Sequence, residues 1–148
     1  SLRSRTGIRT SDKRHFVDTS IATAILELNP KSVLEDFELF GFLFEDFCLR
    51  DIRVYTELLR GTVYHYHDNS NLEADLIIRL HDGRWAAIEV KTGSKEIEEA
   101  AENLITLSNE VNTSKIGAPS FLMVLTAGQY AYRREDGVYV VPIGCLKP

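Results

Sequence analysis

A chain of 148 residues, 44% of them hydrophobic, suits one domain that buries roughly 68–70% of its unfolded surface around a single core. Its formal net charge of -5 excludes a protein that coats nucleic acid by electrostatics alone, and its two cysteines, Cys48 and Cys145, form neither a disulfide framework nor a metal knuckle. No apolar run is long enough for a bilayer and none follows the basic start, so a soluble, cytoplasmic protein with no membrane partner is expected.

The opening SLRSRTGIRTSDKR sets Arg3, Arg5, Arg9, Lys13 and Arg14 against Asp12 alone, and residues 1–14 read as a basic linker or tail ahead of a domain at 15–148. Asp18 or Thr19 can cap a short helix to about Leu28, which Asn29-Pro30 would end. From about Asp36 to Leu59 the pattern DFELFGFLFEDFCLRDIRVYTELL predicts a long helix, apolar nearly all round in its first half and so buried on most sides. Gly41, Phe42, Cys48, Leu49 and Ile52 share one stripe of it, and Glu45 sits in the middle of that stripe.

Gly61 breaks the helix, and the β-branched and aromatic TVYHYH at 62–67 favours a strand, followed by a polar turn at DNSN. Strands at about 72–80 and 84–91 join around HDG. Ser94 can cap a helix to about Asn109, with Ile97, Ala101, Leu104, Ser108 and Val111 along one stripe. SFLMVLTA at 120–127 has the continuous apolar character of a strand covered on both faces, and QYAYRREDGVYVVP predicts a hairpin turning at Asp136-Gly137. Helix, three strands, crossover helix, strand and terminal β-hairpin together define an α/β domain whose crossover leads into a parallel strand.

The hairpin LEADLIIRLHDGRWAAIEVKTG fixes its own register, because a slip of one residue exchanges the two faces. A two-residue Asp82-Gly83 turn would mix charge with apolar side chains on both. A three-residue loop, His81-Asp82-Gly83 with Gly83 left-handed, instead sets Ala74, Leu76 and Ile78 against Val90, Ile88 and Ala86. The opposite face then pairs Asp75 with Glu89, Glu73 with Lys91 and Ile77 with Ala87.

Facing carboxylates repel, and a bound cation would relieve that conflict. Asp75 and Glu89 offer the hard oxygens that Mg²⁺ prefers, and Lys91 points to the face of Glu89. An ammonium there could stabilise charge on a phosphate or, with its pKa lowered so that it is a neutral amine, help to deprotonate water. The alternative is a solvated sheet face with a Glu73–Lys91 or Glu89–Lys91 ion pair. On the long helix, Glu45 either bonds a neighbouring element or faces the same cation. His65 and His67 alternate with Tyr64 and Tyr66, but no third ligand completes a zinc site.

Glu45, Asp75 and the Glu89-Val90-Lys91 run resemble the PD-(D/E)XK nuclease superfamily, with Ala74-Asp75 where Pro-Asp is usual. That resemblance implies a restriction-endonuclease-like core and Mg²⁺-dependent, or Mn²⁺-dependent, hydrolysis of DNA or RNA. The implied metal ligands are Asp75, Glu89 and the Val90 carbonyl; Lys91 would act on the attacking water and Glu45 on a second ion or a coordinated water. The blocks KRHFVDTSIATAIL, GFLFEDFCLRDI, YHYHDNSNLEADLII, AIEVKTGS and VYVVPIGCL, spanning about residues 9 to 147, also resemble an uncharacterised domain at the C-terminus of bacterial and archaeal AAA-type P-loop ATPases. An ATPase module of the same parent chain is the partner this implies, although no G-x-x-x-x-G-K-[ST] loop occurs here. The helix at 94–110 has Glu102 and Asn103 in place of the Gln and Tyr pair of RecB-like nucleases. A non-catalytic nucleic-acid-binding or regulatory module of the ATPase is the competing expectation.

Overall fold

The computed structural model describes residues 35–67, 72–111 and 113–147, with Ser20 and Lys31. The basic arm, the helix expected at 19–28 and the DNSN turn lie outside the described residues. Helix α1 spans Phe37–Leu58, strands β1, β2 and β3 span Gly61–His67, Glu73–Leu80 and Trp85–Lys91, and helix α2 spans Ile97–Glu110. A short α3, Thr113–Ile116, precedes β4 at Phe121–Thr126, β5 at Tyr132–Arg133 and β6 at Tyr139–Pro142.

Asp36 starts α1 by accepting a hydrogen bond from the Leu39 N–H at 3.0 Å, one of the donors that a helix N-terminus leaves unmet. Its buried stripe is Phe44, Cys48, Leu49, Ile52 and Thr56, with Leu43 alongside. Phe42, expected on that stripe, is 59% exposed and Phe37 is 84% exposed, so the first half of α1 is not buried on most sides. At 100° per residue, Phe42 lies well round the helix from the line through positions 44, 48 and 52.

Six strands form one sheet in the order β1-β2-β3-β4-β6-β5. The first three are antiparallel neighbours, β3 runs parallel to β4, β4 parallel to β6, and β5 antiparallel to β6. Helix α2 carries the chain from β3 to β4 and packs on β2, β3 and β4, whereas α1 packs on β1 and β3. One core sets Ala100, Ala101, Leu104 and Leu107 of α2 against Ile77, Ala87 and Val124; the other sets Phe44, Cys48 and Ile52 of α1 against Leu76, Ile88 and Leu125. The central strands are therefore covered on both faces, as the apolar run at 120–127 implied. Ser94 opens a 3₁₀ turn over Ser94–Glu96 instead of capping α2 with its side chain.

The hairpin register agrees with its sequence: Leu76 opposes Ile88, Ile77 opposes Ala87 and Ile78 opposes Ala86. Gly83 has φ +90°, its N–H reaches the Leu80 carbonyl, and the Asp82 side chain accepts from the Arg84 N–H at 3.0 Å. The Glu135-Asp136-Gly137 loop repeats this arrangement, with Gly137 at φ +90° and Asp136 accepting from the Val138 N–H at 3.1 Å. Both are three-residue loops whose last position needs the freedom of glycine. Arg134, at the base of the second loop, donates two 2.9 Å bonds to Glu98 and one of 3.0 Å to Asp136, fastening the hairpin to the first turn of α2.

Truncation of Leu104 to Ala removes a fully buried side chain where α2 meets the sheet and is expected to cost about 2–5 kcal/mol in urea unfolding. The same experiment on Phe37→Ala should move stability by no more than about 0.5 kcal/mol, as at an ordinary surface position.

Candidate functional site

The site is built on an interruption of β2. Tyr64 opposes Ile77 and Tyr66 opposes Ala74, so one residue of β1 faces the two residues Asp75 and Leu76. This is a β-bulge, which re-aims the side chains beside it. Ala74, expected on the face of Leu76, consequently packs with Ile77 on the α2 side, while Leu76 stays under α1. The β2–β3 ladder stops at Leu76–Ile88, and the Asp75 carboxylate accepts the Val90 N–H at 2.8 Å. Here an aspartate oxygen takes the place that a strand carbonyl would hold.

Glu89, next to Val90, is 3% exposed and shares a hydrogen bond with the Asp75 carboxyl. The two acids predicted to face one another therefore meet at a bulge, with Glu89 shut off from water, Asp75 and Lys91 half-buried and Glu73 exposed. Burial, then the Asp75 charge and the shared hydrogen bond, push Glu89 up to about 9, with Lys91 pulling the other way. Glu73 also contributes to that rise, and its carboxylate lies 3.5 Å from the His67 imidazole, its partner across β1–β2. His65 falls opposite the bulge, and its Nδ1 is buried with no hydrogen-bond partner among the described residues.

Helix α1 lies over this point. Burial raises the Cys48 thiol to about 12, and the charges of Asp51, Asp75 and Glu45 add to the rise, which places Cys48 among the site acids as an un-ionised thiol. Glu45 is half-buried and lines a cleft of about 230 Å³ with Val90 and Lys91, between α1 and the carboxyl end of β3. The structure thus forms two adjoining groups: Asp75 with Glu89, and Glu45 with Lys91, joined through Val90. Among the described residues no three His, Cys, Asp or Glu side chains gather as a metal-holding cluster, while the charges of both Glu45 and Asp75 reach Cys48.

Three features were not read from the sequence. The bulge leaves little trace, because Glu73-Ala74-Asp75-Leu76 alternates like an unbroken strand. Glu38 lines the cleft with Glu45, seven residues and about two helical turns earlier, a spacing that could have revealed it. Thr126 is buried opposite Lys91 in the parallel β3–β4 register, and its hydroxyl accepts from the Gly128 N–H at 3.2 Å.

A mixed α/β domain with two carboxyl groups in contact at the split of two strands is the class that fold and site define. The chain belongs to the family described as a domain of unknown function, DUF4143, which it matches over residues 40–146. It matches no curated protein and no solved structure. Among the described residues no helix is long and apolar enough to cross a membrane.

The raised Glu89 fixes a pH dependence. Its folded-state value lies above the ordinary 4.5, so folding takes up a proton and stability falls as pH rises from about 4.5 to about 9. Glu89→Gln removes that loss, so the variant should melt above the wild type at pH 9, by less at pH 7, and without this advantage near pH 4. The limiting slope of the difference is about 1.4 kcal/mol per pH unit, and thermal melts at the three pH values measure it.

Proposed function

We propose that this domain is a metal-dependent nuclease module of the PD-(D/E)XK type, hydrolysing phosphodiesters of DNA or RNA in company with an AAA-type ATPase module. The observation that carries the reading is the Asp75–Glu89 pair, held at the β2 bulge by the Val90 N–H, with Lys91 following at the end of β3. Supporting it are the antiparallel β1-β2-β3 order, the crossover through α2 to a parallel β4, and an acid on the helix that precedes the strands.

The donor set suits a hard cation. Two carboxyl groups and a backbone carbonyl are what Mg²⁺ takes from a protein when water and phosphate fill its remaining positions. The like-charged pair also needs a neutralising partner, and a proton on Glu89 and a divalent ion are alternatives for that role. Asp75, Glu89 and the Val90 carbonyl would hold Mg²⁺ or Mn²⁺, which supplies positive charge to the phosphate and acidity to water.

The remaining work falls to the chain's own groups. Lys91 sets an ammonium beside the reacting phosphate, where it offsets developing charge and donates a hydrogen bond that orients water. Glu45, across the cleft, accepts hydrogen bonds from water and restricts its approach. The Val90 N–H keeps Asp75 aimed into the gap, so Asp75 is fixed before substrate arrives.

A second reading, a non-catalytic nucleic-acid-binding or regulatory module of the ATPase, draws on the acidic balance of the chain, net charge -5, and of the cleft, where Glu38, Glu45 and Glu96 stand with Lys91. Calorimetric titration with Mg²⁺ and Mn²⁺, coupled to cleavage of plasmid and single-stranded substrates, separates the two. The nuclease reading expects metal binding that Asp75→Ala abolishes and a cleavage rate that Lys91→Ala lowers by about 10²- to 10⁴-fold. Wild-type protein that neither binds metal nor cuts would reject it in favour of the binding module.

A further inference from the structure

The cleft beside the acid pair carries, next to Glu45 and Lys91, side chains that the proposed hydrolysis does not use. Phe37 and Phe42, exposed by 84% and 59%, both line it, together with Glu38 and Glu96 and with Glu45 and Lys91. Phenylalanine rings left open to water at the mouth of a site offer stacking surfaces, and every base has a π-face to stack on them. Among the described residues Lys91 is the one cation lining the cleft, against Glu38, Glu45 and Glu96, so a polyanionic backbone would gain little there by threading its whole length through. The volume of about 230 Å³ lies below the roughly 300–1,000 Å³ of pockets that hold drug-sized ligands, and a duplex does not enter it.

We infer that this cleft holds one unstacked base of a single-stranded segment, its ring against Phe37 and Phe42 and its phosphate towards Lys91. The inference rests on the nuclease reading and names the substrate class of that same site. Carboxylates accept hydrogen bonds, so Glu38 and Glu96 select bases that present amino donors, as the N4 amine of cytosine does. Thymine has no exocyclic amine and is the poorer occupant. The acid lining that would repel a backbone thus acts as a base filter. The preferred substrate is a single strand, or the unpaired end of a duplex, carrying a base with an exocyclic amine at this position.

The test is fluorescence anisotropy of this chain with labelled oligodeoxycytidine, oligodeoxythymidine and a blunt duplex, each with Mg²⁺ replaced by Ca²⁺ to limit cutting. Oligodeoxycytidine is expected to bind more tightly than the other two, and Phe37→Ala or Phe42→Ala to weaken it by about tenfold or more. Both rings are exposed, and circular dichroism with urea unfolding checks that each variant keeps its fold. Equal affinity for the duplex, no preference over oligodeoxythymidine, no binding of any strand, or unchanged binding in both variants would overturn the inference. Its failure is separable from failure of the nuclease reading, because metal binding and plasmid cleavage are measured without reference to these rings. A chain that binds Mg²⁺ and cuts duplex DNA with Phe37→Ala and Phe42→Ala unaffected is a nuclease with another substrate.

Discussion

A buried carboxyl group, Glu89, in contact with a half-buried one, Asp75, forms the constraint around which this domain is arranged. Glu89 is nearly inaccessible and shares a hydrogen bond with Asp75, and two ionised carboxylates in that position would face both desolvation and mutual repulsion. The β2 bulge, the end of the β2–β3 ladder at Leu76–Ile88 and the Val90 N–H all serve to seat the pair. A hydrogen-bond donor of the sheet is diverted to a side chain to do so, and bulged or interrupted ladders are found preferentially beside functional sites.

The rest of the fold makes that seat rigid. Covering β2, β3 and β4 with α2 on one face and α1 on the other removes water from the sheet, which strengthens each charge interaction within it. The parallel step from β3 to β4 brings the carboxyl ends of two neighbouring strands to the same edge, so Lys91 stands beside Thr126 where the site opens. Open α/β sheets place ligands at such edges. Further out, the Arg134 bridge to Glu98 and Asp136 holds the last hairpin against α2 without entering the site.

Much of this was legible in the sequence because its signals are local or periodic. The limits of α1, the three-residue hairpin loop with Gly83, the crossover helix and the buried strand at 121–126 follow from capping, register and hydrophobic period. The meeting of Asp75 and Glu89 followed from the same register, since a core-forming alignment leaves the two acids opposite one another. The bulge did not, because strict alternation in a sequence is blind to a residue inserted against the partner strand. Phe42 was misplaced for a related reason: a helix apolar on many sides has no single period from which to choose its buried face. The placing of Glu45 in the cleft beside Val90 and Lys91 is tertiary, set by how α1 packs on the sheet, and no spacing along one chain encodes that packing.

The state of charge at the pair connects stability to the proposed chemistry. Without a cation, Glu89 keeps its proton well into the neutral range and the fold is relieved of a second buried charge. A divalent ion on Asp75 and Glu89 would have to displace that proton, so its apparent affinity rises with pH until Glu89 is ionised in the free protein. On the proposed reading the site would be a balance in which protonation favours the resting fold and a bound cation the ionised pair. That balance keeps the like charges from destabilising the domain when no ion is bound, and it ties the reactive form of the site to the presence of the ion it would use.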